Sequence, residues 1–410
     1  MKKKISKVTV SALKKRIKAK GGMLKIEAEA TIAALSGKVE IPKQVAVAPS
    51  HFNNVLTASR MTSAMQCLRK HFWSYEIGLR KTEEGLALRI GSAWARAMEA
   101  RWNGKPYEAA LADAVPEGVR LNDYDMATIS ALLAAYYDYH GQSESEGRVH
   151  PEVQFRSELG DGVFTCEGKM DGLGSLADGR SVIIESKTTS DSLAPDSDYW
   201  LRLSFNLQVY QYVSEARKLG WDVATCFYDV TRKPMIQPKQ VNDLDAEGRK
   251  IVVDAAGVQQ FRKDGVTPIQ SGDTEKGWTI KSHIETPEEF CDRLYKDCLA
   301  RPEFYFARKE VPVIDQQIES FERQRMAIAG LIKSIREQES TACVGWQQDG
   351  NPERDPEAWP RNVSEHTCDF CQFKSFCLQN LSVDLRNPPE GFKVAGFNPE
   401  LVNAESVQPV

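Results

Sequence analysis

The chain has 410 residues, 41% of them hydrophobic and 27% charged, with a net charge of −4. That composition fits a globular protein of one large domain or two to three small ones, and excludes a polycation, though not a local basic groove. No stretch reaches the apolar length that spans a bilayer, and the basic N-terminus lacks the unbroken apolar run of a secretory signal, so a cytoplasmic protein with no membrane partner is expected. In that reducing compartment, nine cysteines point to metal ligation or buried thiols rather than a disulfide framework.

Residues 1–56 read as a basic arm followed by a peripheral alanine-rich helix. Ten lysines and arginines precede the first acid, Glu27, as in a solvated arm or a DNA-contacting one. From Thr57, TASRMTSAMQCLRKHFWSYEIGL predicts a loop entering an amphipathic helix, and LALRIGSAWARAMEARW a second helix. Residues 122–139 predict a third, with Ile129, Leu132, Leu133, Tyr136 and Tyr137 on one face. Strands follow at VQFRSEL, GVFTCEGKMDGL and SVIIESKT. Next come a helix near 204–219, the strand ATCFYDVTRK, a helix over 243–261 and a loop or small insertion over 264–282. Helices over 286–300 and 315–337 lead through an irregular connector to a cysteine-rich segment, and a loose tail begins at 387. No internal repeat is evident.

Asp178-Gly179 marks a hairpin between the second and third strands. A two-residue loop would set Asp171 opposite Ser186, facing away from Glu185 and Lys187. A three-residue loop, residues 177–179 with Gly179 left-handed in a bulge, sets Asp171 opposite Glu185. Shared chemistry among these side chains requires the second register, which is therefore the expectation.

Glu185 and Lys187 share a strand face. With Asp171 and the Ser186 carbonyl they offer hard oxygen ligands for Mg²⁺ or Mn²⁺ and a cation for a developing oxyanion. A Glu-x-Lys triplet alone is commonplace on a solvated strand. Here it ends the buried-strand run Val182-Ile183-Ile184, which favours a site. Gln208 and Tyr212, at i and i+4 on the next helix, are candidates for holding the phosphate backbone or tuning the lysine. Arg232-Lys233 is a candidate phosphate contact. The aromatic and basic stripe from Arg69 to Tyr75 could stack on or guide a strand, but reads first as helix core with snorkelling cations.

HTCDFCQFKSFC places Cys368, Cys371 and Cys377 close together, a spacing that points to metal. Cys67 is the best fourth ligand, with Cys343, His366 and His71 as competitors. Cys166, Cys226, Cys291 and Cys298 read as core thiols. Spacing does not separate Zn²⁺ from an iron–sulfur cluster.

Taken in order, CLRKHFWSYEIGL, GSAWARAMEA, GKMDGL, IIESK, QVYQY and CDFCQFKSFC resemble the RecB-like branch of the PD-(D/E)XK nuclease superfamily. The likeness is strongest to members with an iron–sulfur staple, such as the AddB nuclease domain, CRISPR-associated RecB-type exonucleases and phage-borne nucleases. It covers roughly residues 57–380, within one domain of residues 57–386, with insertions near 103–148 and 235–315, a cluster segment at 366–380 and a tail from 387 to 410. The resemblance implies a three-layer α/β, restriction-endonuclease-like core around a mixed sheet. It implies a metal-dependent DNA exonuclease or single-strand nuclease in recombination, repair or phage DNA processing. Asp171, Glu185, Lys187, Gln208 and Tyr212 would be catalytic, and Glu99, Asp171, Glu185 and Ser186 would hold Mg²⁺ or Mn²⁺. Cys67, Cys368, Cys371 and Cys377 would hold a [4Fe–4S] cluster, with Zn²⁺ as the alternative.

The family's helix motif carries a histidine where this chain has Ala95. That departure motivates a second reading, a catalytically weakened DNA-binding protein with a structural cluster. A third is a zinc protein unrelated to nucleases. The implied partner is DNA, as single strands or duplex ends. No Walker-type phosphate loop is present, so unwinding would come from a helicase or recombinase partner.

Overall fold

The computed structural model describes residues 54–395, apart from 84, 117–120, 142–147, 177, 344–355, 382 and 384–386. The arm at 1–53, most of the connector and the end of the tail lie outside the described residues.

The chain enters through β1 (Val55–Leu56) and α1 (Ala58–Gln66), whose first turn is capped by the Thr57 side chain. A short helical turn and a π-turn, Phe72–Glu76, lead to β2 (Leu79–Lys81). Three helices follow: α2 (Leu86–Trp102), α3 (Tyr107–Ala114) and α4 (Asp123–His140). Then come β3 (Arg148–Glu158), β4 (Thr165–Ser175) and β5 (Ser181–Thr189), with α5 (Asp198–Leu203) and α6 (Leu207–Lys218) leading to β6 (Val223–Arg232). Four short strands, β7 (Gln240–Asn242), β8 (Val252–Val253), β9 (Thr279–Ile280) and β10 (Ser282–Ile284), precede α7 (Pro287–Ala300). The remaining main elements are β11 (Phe306–Pro312), α8 (Asp315–Cys343) and β12 (Phe392–Val394).

The central sheet is mixed. β3 and β5 flank β4 antiparallel, β6 joins β5 in parallel, and β11 closes the far edge antiparallel. β1 pairs in parallel with the start of β4 at Thr165–Cys166. Alternation along β5 divides two cores. Ile183 packs with residues of α1, α6 and α8 on one face, and Val182 and Ile184 pack with residues of α2, α3, α4 and α7 on the other. The molecule is thus a three-layer α/β fold of the restriction-endonuclease-like type, as expected. Among the described residues no helix is long and apolar enough to cross a membrane.

Three expectations need correction. Val55 and Leu56, assigned to the peripheral arm, are buried and belong to the central sheet. Phe392–Val394, assigned to the tail, pairs with β2. Most important, 243–261 is not helical. Asp245, Asp254, Asp264 and Asp273 each accept backbone N–H groups two to four residues ahead. Each such turn contains a left-handed glycine, Gly248, Gly257, Gly265 or Gly277. These are Asx turns in series, a repeat of local chemistry that helical periodicity cannot detect.

Candidate active site

The β4–β5 hairpin sets the geometry. Leu176 N–H donates to Arg180 O (2.9 Å), and Gly179, at φ +88°, donates to Leu176 O (2.9 Å). Leu176 and Arg180 therefore close the loop, in the register that faces Asp171 toward Glu185, with Gly179 in the left-handed conformation that glycine adopts without strain. The ladder runs from Ser175↔Ser181 to Gly172↔Ile184, so Asp171 and Glu185 are the next facing positions. There β4 leaves β5. The Ser186 N–H, which a continued ladder would give to β4 backbone, goes instead to the Asp171 carboxylate (3.0 Å). β5 continues on β6 alone, with Ser186↔Asp229 and Lys187↔Val230 in register. On the same edge of β4, β1 covers only Thr165–Cys166 and β5 resumes only at Gly172. A gap opens between them, at Asp171.

Glu185 is fully buried. Its compensation is an ion pair with Lys187. Burial, and then the Asp171 charge, push the Glu185 carboxyl up to about 7, against the pull of Lys187. Burial also raises Asp171, and Lys187 and the Ser186 N–H only partly offset it. Burial works against the Lys187 ammonium, but the Glu185 and Asp171 carboxylates outweigh it and hold its pKa above the ordinary range. Two crowded, under-solvated carboxylates beside a lysine are a donor set that a divalent cation relieves. The Ser186 hydroxyl is buried without a partner.

The helix after the hairpin braces this set. Asn206 caps α6 by accepting the Gln208 N–H. Lys187 Nζ donates to Gln208 Oε1 (2.8 Å), Gln208 Nε2 donates to the Tyr212 hydroxyl (2.8 Å), and that hydroxyl donates to the Lys169 carbonyl (2.6 Å). The i, i+4 pair thus ties Lys187 on β5 to β4, two residues before Asp171, across the gap. Tyr199 also bears on the site. Burial pushes its phenol up to about 12, against the charge of Lys187, and no sequence pattern singled it out.

Glu99 is not drawn into this group. It is half-buried on α2. That helix covers the opposite sheet face, meeting β5 where Gly91 approaches Thr188 (a Cβ there would lie 3.6 Å from Thr188 Oγ1). No hydrogen bond or ion pair joins the described Glu99 carboxylate to Asp171 or Glu185. Ala95 is exposed.

Cys67, Cys368, Cys371 and Cys377 line one pocket, with Trp73 and Phe373 as its apolar wall and Lys70, Arg361 and Lys374 as cations. The Asn362 N–H donates to Cys67 Sγ (3.5 Å). Burial pushes the Cys371 and Cys377 thiols up. The four thiols are neighbours, yet among the described residues no three His, Cys, Asp or Glu side chains converge at metal-ligating spacing. Of the competitors, His71 is buried and receives the Arg60 Nε–H (3.1 Å). His366 does not line the pocket, and the Cys343 side chain lies outside the described residues. Cys166, Cys226 and Cys298 are buried, as core thiols should be, and Cys291 is partly buried.

Residues 55–378 match the PD-(D/E)XK nuclease superfamily, and the chain belongs to it. Nucleases of this superfamily generally use Mg²⁺ or Mn²⁺ and act on DNA. No curated protein matches the chain. A crystal structure described as that of SSO0001 aligns over 92% of this chain and 98% of its own, at 11% identity and a TM-score of 0.31, a likeness too weak to carry argument.

Proposed function

We propose that this superfamily member is a metal-dependent DNA nuclease whose catalytic set is Asp171, Glu185, Lys187, Gln208 and Tyr212. The observation that carries the reading is the fully buried Glu185 carboxylate, ion-paired to Lys187 and facing Asp171. Asp171, Glu185 and the Ser186 carbonyl would hold Mg²⁺ or Mn²⁺, which supplies Lewis acidity and a bound water of lowered pKa. Lys187 offers its ammonium to the charge that builds on the attacked phosphate. Gln208 and Tyr212 fix that ammonium and the spacing of the two strands, and burial excludes bulk water.

The order of the motifs supports the RecB-like branch, and with it an exonuclease or single-strand activity in recombination, repair or phage DNA processing, alongside a helicase or recombinase. The same reading assigns a [4Fe–4S] cluster, with Zn²⁺ as the alternative, to Cys67, Cys368, Cys371 and Cys377. Their shared pocket and its cationic lining suit an anionic thiolate-ligated group. The test is cleavage of end-labelled single- and double-stranded DNA by anaerobically purified protein, with Mg²⁺, Mn²⁺ or EDTA, beside Asp171→Ala. Metal-dependent cleavage lost in the variant is expected. DNA binding without cleavage in any metal would replace this reading with a binding protein disabled at Ala95.

A further inference from the structure

A second lysine–carboxylate pair lies beside Asp171. Lys169, two residues earlier on β4, is ion-paired to Glu152 of β3, with their side chains 30% and 18% exposed. In the β3–β4 register Pro151 faces Gly172 and Val153 faces Met170. The position skipped between these pairs is Glu152 opposite Asp171. There Glu152 takes φ 57°, a left-handed conformation unfavourable for an L side chain.

The kink has a visible effect. Val149 packs with the α2 and α4 side of the sheet, whereas Val153 and Phe155 belong to the core on the other side. In a regular strand all three would share one face. β4 turns over with β3. Cys166 and Met170 share a core with Leu173, while a Cβ at Gly172 would meet Val149 Cγ1 at 3.0 Å and Ile184 Cβ at 3.1 Å. Asp171 sits at the inversion. A glycine would make this turn without strain. A glutamate that bears the strain is explained by its carboxylate, which holds Lys169. Lys169 in turn lies on the stretch of β4 edge left open between β1 and β5. Its backbone is fixed by Tyr212 (2.6 Å), and its charge reaches Asp171 and draws that carboxyl down.

We propose that Lys169, which the inversion turns to the sheet face opposite Asp171 and Glu185, is a second phosphate-binding lysine that contacts the DNA backbone at the open edge of β4, and that Glu152 is its positioning residue. The proposal rests on the nuclease reading for its kinetic consequences, and on the geometry alone for binding.

The experiment compares wild type, Lys169→Met, Lys169→Arg and Glu152→Gly in two assays. The first is single-stranded DNA binding over a salt series with Ca²⁺ in place of Mg²⁺. The second is steady-state cleavage with Mg²⁺. Lys169→Met should weaken binding about tenfold and lower the log–log salt slope by about one, and Lys169→Arg should recover most of both. Glu152→Gly should melt at a higher temperature than wild type because the strain is gone, yet show a several-fold higher KM with kcat little changed. Wild-type affinity and salt slope in Lys169→Met would overturn the phosphate role. An unchanged KM in Glu152→Gly would overturn the positioning role and leave the pair a structural contact. Failure of the nuclease reading would show separately, as no wild-type cleavage in any metal, and the binding arm would still decide the role of Lys169.

Discussion

Replacing Glu185 with glutamine should abolish activity and, without metal, stabilise the fold. The Glu185 carboxyl is fully buried and is pushed up to about 7 from an ordinary 4.5 by burial and Asp171, against the pull of Lys187. At about 1.4 kcal/mol per pH unit, that difference is a folded-state penalty of about 3 kcal/mol on the ionised form. The unfolded chain releases this proton near pH 4.5 and the folded chain only near 7, so stability falls as pH rises between those values. The penalty is complete above pH 7 and absent below 4.5. Glutamine stands in for the protonated acid and carries no penalty at any pH, while Lys187 retains its bond to Gln208. Urea unfolding in EDTA should therefore show Glu185→Gln about 3 kcal/mol more stable than wild type at pH 8, with the gap closing toward pH 4.5. Mg²⁺ or Mn²⁺ should narrow the gap at pH 8 by stabilising only wild type. A variant no more stable than wild type at pH 8, or a gap independent of pH, would refute the claim that this carboxylate is held under-solvated for a cation.

Tyr212→Phe removes the hydroxyl that accepts from Gln208 and donates to the Lys169 carbonyl. It should destabilise by about 1 kcal/mol and lower kcat at least about tenfold, as read by urea midpoints and single-turnover rates. A second buried ion pair sets the acid limit of the fold. Burial opposes the charge of Glu76, but Arg60 and Arg336 overcome it and hold the carboxyl down to about 2. This contribution, up to about 3 kcal/mol, is present above pH 4.5 and is lost as pH falls from there toward 2. Acid titration by circular dichroism should show the loss, and Glu76→Gln should be destabilised at pH 7 with a flatter acid limb. Cys371→Ala should eliminate the visible absorbance and bound iron of anaerobically purified protein and lower its melting temperature, because ligands as far apart as Cys67 and Cys377 would no longer be joined. Retained iron with an unchanged melting temperature would dismiss Cys371 as a ligand, and wild-type protein purified without iron or visible absorbance would dismiss the cluster.

How much of this site could be read from the sequence depended on the range of the interactions that build it. The hairpin register followed from Asp178-Gly179 and one chemical requirement, since a turn and its neighbouring pairs are local. Gln208 and Tyr212 were legible as a helical pair that could hold phosphate or tune the lysine, but the path they take was not. That they bridge Lys187 to the Lys169 backbone depends on where α6 lies over two strands. Glu99 was placed by motif order, whereas α2 covers the sheet face opposite to Lys187, which no spacing within the helix reveals. The segment at 243–261 was misread for the opposite reason. Its acids and alanines suit a helix, but Asp245 and Asp254 spend their carboxylates on backbone N–H groups just ahead, and that competition favours turns.

The same distinction explains why the site lies where it does. A strand pair that stayed regular past Gly172↔Ile184 would give the Ser186 N–H to backbone and leave Asp171 with no special partner. The inversion at Glu152 and Asp171 breaks the ladder at one position. It frees one edge of β4, and places two carboxylates across a gap that the Gln208–Tyr212 brace keeps from closing. The chain accepts a left-handed glutamate and a buried carboxylate crowded by a second one within this one stretch of sheet. Both are unfavourable for folding alone, and the proposed function gives them a reason, since a cation would relieve the crowded carboxylates.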